Sequence, residues 1–298
     1  MSKGPFACRV TPSPGAQSPD HGDFSHRAEI TMVYPLTATE KLYQVQIRDP
    51  EARHNFSFKP GQFVMLEVPG IGEAPFSISS APSRHGDIEL CIRAAGTMTT
   101  FLSRLERGVM VGISGPFGTS FPVEDMLGDD ILLLAGGLGV VPLRAPIMSV
   151  LENRSRYGRV DIMYGARCPS ELLFGYQYAM WRQFDIDLQV IVDKGEKGWT
   201  GQVGLITDLL GRRLEEGDRH RFAKQTNAIV CGPPVMFKFV CDMLLEAGLP
   251  MEKIFVSLER RMHCGRGKCC RCNIGSTYTC LDGPVFDYWS VLNLKEAI

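Results

Sequence analysis

Five cysteines, Cys264, Cys269, Cys270, Cys272 and Cys280, fall within seventeen residues near the carboxyl end of a 298-residue chain that holds ten cysteines in all. Ten are too few for a disulfide scaffold at this length. The amino-terminal MSKGPFACRV also lacks the apolar core of a secretory signal. Such clustering reads as metal binding in a reducing compartment, with the cytoplasm as default. The segment runs HCGRGKCCRCNIGSTYTCLDGPVF, with four and then two residues between Cys264, Cys269 and Cys272. That is the opening spacing of plant-type [2Fe–2S] sites, and Cys280 supplies a fourth thiolate after a short hairpin around Gly275. Two bridged irons need four anionic sulfurs around a compact, elongated core: three from one tight loop, one from the adjoining strand. Gly265 and Gly267 allow positive φ and can aim amides at the sulfurs. The competing reading is a structural four-cysteine zinc site, which usually uses two Cys-x-x-Cys knuckles; one is present, Cys269 with Cys272. Cys270 is the spare thiol, read as a bystander. Arg260, Arg261, His263, Arg266, Lys268 and Arg271 crowd the same loop. They read as cations favouring a more negative reduced cluster, as a solvated basic face, or as a docking patch for an acidic partner.

Length sets a prior of roughly two domains. The 44% apolar and 22% charged content is that of a globular chain and excludes disordered and fibrous classes. A formal net charge of −1 gives no global pull toward nucleic acid or anionic membrane, so neither is expected as a partner. The longest apolar run, Ile131 to Val150, is broken by Gly136, Gly137, Gly139, Pro142, Arg144 and Pro146, which argues against a membrane span. Residues 1–27 form a proline-rich, poorly periodic arm. Residues 28–126 read as an antiparallel β-barrel from the runs AEITMVYPLT, KLYQVQIRD, QFVMLEV, PFSISSA and DIELCIRA, followed by a helix over Met98–Glu106 capped by Thr97. Residues 127–252 alternate near-continuous apolar strands with helices, as in a doubly wound parallel sheet covered on both faces. Residues 253–298 enter the cysteine segment through the strand KIFVSLE.

The strand ILLLA opens onto Gly136, Gly137 and Gly139 and then a helix expected to reach Glu152. At such a turn, backbone amides and a helix start can receive a pyrophosphate; the alternative is a bare tight turn. Cys231, Gly232 and Pro233 end a later strand, placing them at the carboxyl edge of the same sheet, where open α/β domains bind ligands. A cysteine there can touch a nicotinamide ring without acting as a nucleophile. Cys8, Cys91, Cys168 and Cys241 read as buried apolar thiols.

Taken together, these motifs resemble the ferredoxin-NADP reductase superfamily, and more closely the gamma (diaphorase-type) subunits of cytoplasmic NiFe hydrogenases, or sulfhydrogenases. The electron-transfer subunits of dihydroorotate dehydrogenase and of anaerobic sulfite reductase are similar relatives. SLERRMHCGRGKCCRC followed by CLDGPVF carries the resemblance most specifically. The resemblance implies FAD, NADP(H) or NAD(H), and one [2Fe–2S] cluster on Cys264, Cys269, Cys272 and Cys280. The family's flavin motif Arg-x-Tyr-Ser falls on Ala74, Pro75, Phe76 and Ser77, so that the arginine is replaced by alanine and the tyrosine by phenylalanine. Its pyrophosphate loop falls on Gly96, Thr97, Met98 and Thr99, its barrel-closing segment on Gly115 to Gly118, and its Gly-Gly-x-Gly-x-x-Pro on Gly136 to Pro142. Its Cys-Gly-Pro falls on Cys231, Gly232 and Pro233.

The resemblance further implies an oxidoreductase subunit passing electrons between NAD(P)H, FAD and the cluster, to or from a partner catalytic subunit. The partners expected are the small, large and iron–sulfur subunits of a hydrogenase; the sulfite and dihydroorotate systems are alternatives. No protein acid or base is expected beyond the cofactors, with Cys231 near the nicotinamide. Arg167, after the strand VDIMYGA, is a cation where the adenosine ribose is expected, which favours NADP. A zinc-stabilised interaction module is the non-enzymatic rival.

Overall fold

The computed structural model describes residues 25–82, 86–216, 218–292 and 294. Most of the expected arm, and Cys8 with it, lies outside the described residues. The first strand starts two residues before the expected boundary, because β1 (His26–Pro35) pairs His26 with Ile113 and Arg27 with Gly112. It is followed by β2 (Glu40–Ile47), α1 (Pro50–Asn55), β3 (Phe63–Val68), β4 (Gly72–Ser77), β5 (Asp87–Arg93), α2 (Thr97–Leu102) and β6 (Met110–Phe117). The six strands form one antiparallel sheet in the order β4-β3-β6-β1-β2-β5. Ser79, just past β4, donates its amide to the carbonyl of Glu89 on β5 at 2.9 Å, drawing the two edges together. Alternating inward residues such as Ile30, Val45, Leu66, Leu90 and Ile113 fill the interior.

Two local expectations need correction. The strand anticipated from Pro75 to Ala81 starts at Gly72 and ends at Ser77, since β4 takes its register from β3 through Val68↔Gly72 and Phe63↔Ser77. The helix anticipated over Met98–Glu106 stops at Leu102, and its cap is Gly96. The Thr99 hydroxyl accepts from the amides of Gly96 (2.9 Å) and Ala95 (3.0 Å), a reach-back that Thr97 cannot make from inside the helix.

The second sheet runs β10-β9-β8-β7-β11-β12-β15. Its elements are β7 (Asp130–Gly136), α3 (Val140–Glu152), β8 (Val160–Ala166), α4 (Tyr178–Gln183), β9 (Asp187–Val192), β10 (Gln202–Val203), α5 (Ile206–Glu215), α6 (Arg219–Gln225), β11 (Thr226–Cys231), α7 (Pro234–Glu246) and β12 (Ile254–Ser257). Strands β7 to β12 pair in parallel, and β7 and β11 are apolar and buried along nearly their whole length, as strands covered on both faces must be. In α3, Pro142 sits in the first turn, where an amide has no intrahelical acceptor, whereas Pro146 lies inside the helix and removes one bond.

The cysteine segment adds the small hairpin β13 (Asn273–Ile274) and β14 (Thr277–Tyr278), then β15 (Val285–Asp287) and α8 (Tyr288–Leu292). β15 joins β12 as an antiparallel edge. The same stretch is stitched to the barrel: Thr119 donates its amide to the Gly283 carbonyl at 2.6 Å and its hydroxyl to the Val285 carbonyl at 2.7 Å. Among the described residues, no helix is long and apolar enough to cross a membrane.

Candidate functional site at the junction of barrel, sheet and cysteine loop

A cleft of about 260 Å3 opens where the three parts meet. Pro75, Phe76 and Ser77 form the barrel side; Leu138, Val141 and Pro142 form the sheet side. The third wall is the stretch from Ser257 to Arg260 with Met262, which leads into the cysteine loop. Apolar faces with a few polar tips suit a flat ring system that carries polar atoms along one edge, as a flavin does.

Gly139 explains how the glycine turn and the cysteine-glycine-proline corner come to share an edge. A β-carbon there would overlap the carbonyl group of Cys231 and lie 2.8 Å from the amide nitrogen of Gly232. The two backbones are therefore in direct contact, fixed by the register Ala135↔Cys231. Cys231 itself is buried at 2% exposure, and burial pushes its thiol above the ordinary range, which suits an uncharged packing group and not a nucleophile. It lies under the turn and is not on the cleft wall. Pro233 is exposed, and Gly232 sits between the two. Gly96 to Thr99 open α2, which packs beside β4, outside the cleft lining. Arg167 is exposed at the end of β8, where its carbonyl accepts from the Lys194 amide at 2.9 Å.

The cysteine loop rests on the barrel. Buried Cys272 and Cys280 pack with Phe63, Met65 and Met262, whereas Cys269 is exposed and Cys264 half-buried. Gly267 takes a φ of +70° and donates its amide to Cys280 Sγ at 3.1 Å. Gly265 takes +67°, and a β-carbon there would meet Phe117 at 2.9 Å and Met65 at 3.1 Å. Cys264 Sγ accepts from the amides of Arg266 and Cys269, each at 3.4 Å. Burial works to raise the Cys264 thiol, but these amides outweigh it and hold it below its ordinary value; burial and the neighbouring Cys272 push Cys280 up.

Among the described residues no three ligand side chains converge on one point. The cysteines fall into two pairs instead: Cys272 and Cys280 share the buried bed, and Cys264 and Cys269 lie in the loop above it, joined by the Cys269 amide on Cys264 Sγ. Two pairs fit a two-iron cluster better than one tetrahedral ion. Cys270 stands apart: exposed, at φ +55°, accepting from the Tyr278 hydroxyl at 3.4 Å. Cys168 departs from the buried thiol expected; it is half-buried with its sulfur 3.3 Å from the Ser170 hydroxyl. Cys241 is fully buried as expected.

Among the lining residues that sequence reasoning did not place in the cleft, four carry its chemistry, and one of them, Cys91, is the buried thiol expected. Cys91 is buried on β5, with its thiol pushed up to about 12 by burial. Arg93, two residues on, is held by Glu40, a buried carboxylate that also accepts from the hydroxyls of Thr37 and Thr39. Burial opposes that charge, yet the Thr37, Arg93 and Thr39 bonds keep the Glu40 carboxyl below its ordinary value. Met262 touches both the cleft and the cysteine bed. Glu259 lies in the cleft, where lost hydration raises its carboxyl against the opposing pull of Arg93. An arginine ending a strand shortly before a glycine loop was the available signal for Arg93.

A raised carboxyl pKa penalises the folded state. The penalty is full above the folded pKa, shrinks as pH falls through it, and vanishes below the unfolded value. Glu259→Gln is therefore expected to raise the thermal midpoint at pH 8 and to leave it nearly unchanged at pH 4, compared at equal flavin content. An equal shift at both pH values would show that the carboxyl charge is not the cause.

Three family descriptions match consecutive parts of the chain: "Oxidoreductase FAD-binding domain" over residues 31–121, "Oxidoreductase NAD-binding domain" over 133–242, and "Iron-sulfur cluster binding domain of dihydroorotate dehydrogenase B" over 259–292. Sulfhydrogenase 1 subunit gamma of Pyrococcus furiosus is 40% identical over 275 residues, covering 90% of this chain and 92% of that protein. Sulfhydrogenase 2 subunit gamma of the same organism is 38% identical over 291 residues, covering 92% and 98%. A probable dihydroorotate dehydrogenase B electron transfer subunit of Methanocaldococcus jannaschii is 34% identical over 235 residues, covering 78% and 80%. Among solved structures, an NADH-dependent reduced ferredoxin-NADP oxidoreductase superposes with a TM-score of 0.68 at 23% identity, covering 89% of this chain and 91% of that one. A ferredoxin-NADP reductase from Neisseria gonorrhoeae superposes with a TM-score of 0.65 at 21% identity, covering 79% and 98%. These two likenesses speak to the fold.

Proposed function

The chain belongs to the family of sulfhydrogenase gamma subunits and dihydroorotate dehydrogenase electron transfer subunits, built on the ferredoxin-NADP reductase fold, and from that premise we propose that it is the diaphorase subunit of a cytoplasmic NiFe hydrogenase of the sulfhydrogenase type. Its partners are then the hydrogenase small and large subunits and an iron–sulfur subunit. The observation that carries the reading is the single cleft onto which the flavin motif, the glycine turn and the approach to the four cysteines all open.

FAD takes two electrons together from a nicotinamide and yields them singly to a one-electron acceptor such as a [2Fe–2S] cluster. The protein's part is spacing, orientation and electrostatics. Residues 28–126 hold the flavin, with Phe76 packing on the ring, Pro75 and Ser77 beside it, and Gly96, Thr97, Met98 and Thr99 meeting the pyrophosphate at the start of α2. Residues 127–252 hold the nicotinamide nucleotide: Gly136, Gly137 and Gly139 lead into α3, Pro142 walls the cleft, and Cys231, Gly232 and Pro233 support the turn from below. Arg167, exposed at the end of β8 and bonded through its carbonyl to the Lys194 amide, is a cation at the strand end where the adenosine ribose is expected, which favours NADP(H). Residues 253–298 hold the cluster through Cys264, Cys269, Cys272 and Cys280. Phe63 and Met262 stand between cleft and cluster bed, which gives electrons a short route through packed side chains.

A dihydroorotate dehydrogenase partner is the second reading, favoured by the match of residues 259–292. The short spacer NIGSTYTC before Cys280 favours the hydrogenase and sulfite readings over the dihydroorotate one. Anaerobic NADPH is expected to bleach the flavin of the loaded protein and to produce a spin-half EPR signal of the reduced [2Fe–2S] type. A zinc-containing protein that stays silent even with dithionite would sink the electron-transfer reading.

A further inference from the structure

Arg144 is buried at 5% exposure although it is charged, and its partners come from both halves of the molecule. From α3, five residues past Gly139, its Nη1 donates to the Ser79 carbonyl at 2.9 Å and to the Glu89 carboxylate at 2.5 Å, both on the barrel. Its Nε donates to Gln177 Oε1 at 2.7 Å, and the ring of Phe174 lies 4.9 Å beneath the guanidinium. Phe174 occupies the left-handed region at φ +56°. A bulky residue rarely does so unless its surroundings impose it, and here the turn delivers Phe174 and Gln177 to one guanidinium. Burying a charge is costly unless it is paired and hydrogen-bonded, and one with this many partners is rigidly placed.

The partners lie close to both binding motifs along the chain. Ser79 is two residues past Ser77 of the flavin motif, and its amide and hydroxyl both donate to the carbonyl of Glu89. Glu89 lies on β5 two residues before Cys91 and four before Arg93, which line the cleft. On the other side, α3 rises directly from the glycine turn. One guanidinium thus ties the wall that carries the flavin motif to the helix that carries the nucleotide turn.

We infer that Arg144 is a positioning residue that sets the separation between the nicotinamide and flavin sites, an inference that rests on the NAD(P)H-to-FAD reading above. Loss of the guanidinium loosens one wall against the other, while each wall and the cysteine loop keep their own fold. Hydride transfer is steep in donor–acceptor distance, so a small misplacement costs far more in rate than in binding.

The test uses the full chain loaded with flavin and cluster. In anaerobic stopped-flow with NADPH, Arg144→Gln is expected to lower the limiting rate of flavin bleaching on the order of 10- to 100-fold. The half-saturating NADPH concentration should change far less, and the long-wavelength charge-transfer band of the nicotinamide–flavin pair should weaken. Hydrogen exchange should quicken at the amides of Ser79 and Glu89 and stay slow at Leu133 and Ile229 in the sheet core. Arg144→Lys, which keeps the charge but loses the fork, and Glu89→Gln, which keeps a hydrogen-bond acceptor, should show smaller losses of the same kind and cover the case of a variant that does not fold. Wild-type limiting rates and an unchanged charge-transfer band in the folded variants would overturn the inference. If the wild-type flavin is not bleached by NADPH or NADH, the functional reading fails instead; the exchange data then decide separately whether Arg144 ties the two walls.

Discussion

Cys280→Ser is expected to abolish the spin-half EPR signal and the bound iron, while NADPH still bleaches the flavin. Cys280 is 1% exposed, takes the Gly267 amide at 3.1 Å and shares with Cys272 a bed of Phe63, Met65 and Met262. As a bare thiol it resists ionisation, because burial and Cys272 both push it up. A metal reverses that balance, since a coordinated thiol is held as thiolate. A serine hydroxyl is shorter, harder and far less acidic, and is a poor substitute in that apolar bed. Electron delivery to a one-electron acceptor should fall on the order of 100-fold, at or beyond the loss seen when residues supporting a metal site are removed. Cys270→Ser is the control: its sulfur faces solvent beside Tyr278 and should leave signal and iron content intact. A retained cluster in Cys280→Ser, or a lost one in Cys270→Ser, would reassign the ligands.

Gly139→Ala should cost both stability and nucleotide binding. Backbone freedom is not the reason, for Gly139 has an ordinary φ of −59°. The reason is space: a methyl group would stand inside the Cys231 carbonyl, a backbone group that cannot rotate away. Relief requires β7 and β11 to separate where Ala135 faces Cys231. Overpacking typically costs about 1–3 kcal/mol, and a backbone clash belongs at or above the upper end. At about 2–4 °C per kcal/mol, the thermal midpoint should fall by roughly 5–10 °C. The half-saturating NADPH concentration should rise by about 10-fold or more, as it would if roughly 1.4 kcal/mol of binding were lost. Gly137→Ala makes the contrast, since nothing lies within 4 Å of the added carbon and only its φ of +55° opposes it, worth about 1–2 kcal/mol. A Gly139→Ala protein with wild-type melting and binding would mean that the two motifs are not in rigid contact.

Features with a short local cause were readable without coordinates. The α3 helix, the glycine turn that starts it, the central strands β7 and β11, and the positive φ at Gly265 and Gly267 all follow from neighbours in the chain. Local misreadings arose where a partner strand or a side chain three residues away outvoted propensity. β4 begins at Gly72 because β3 sets its register, and α2 is capped through Thr99 reaching back to Gly96. Cys168 lies two residues past the end of β8, beyond the covered part of the sheet, with its sulfur beside the Ser170 hydroxyl.

The amino-acid sequence by itself determined the fold class and the chemical inventory: an apolar alternation for a barrel, continuous apolar strands for a covered sheet, and four cysteines whose spacing suits a two-iron cluster. Periodicity and spacing are properties of neighbouring residues, so they survive without a third dimension. Only the tertiary structure decided that these pieces share one cleft. Arg144 meets Gln177, Glu89 and Ser79 across 33, 55 and 65 positions of the chain, and Thr119 meets Val285 across 166. Arg93, at the end of β5, and Glu259, two residues past β12, line the same cavity. The physical reason is that a buried charge or a carbonyl must be satisfied by whatever the fold brings near, and separation along the chain places no limit on which group that is.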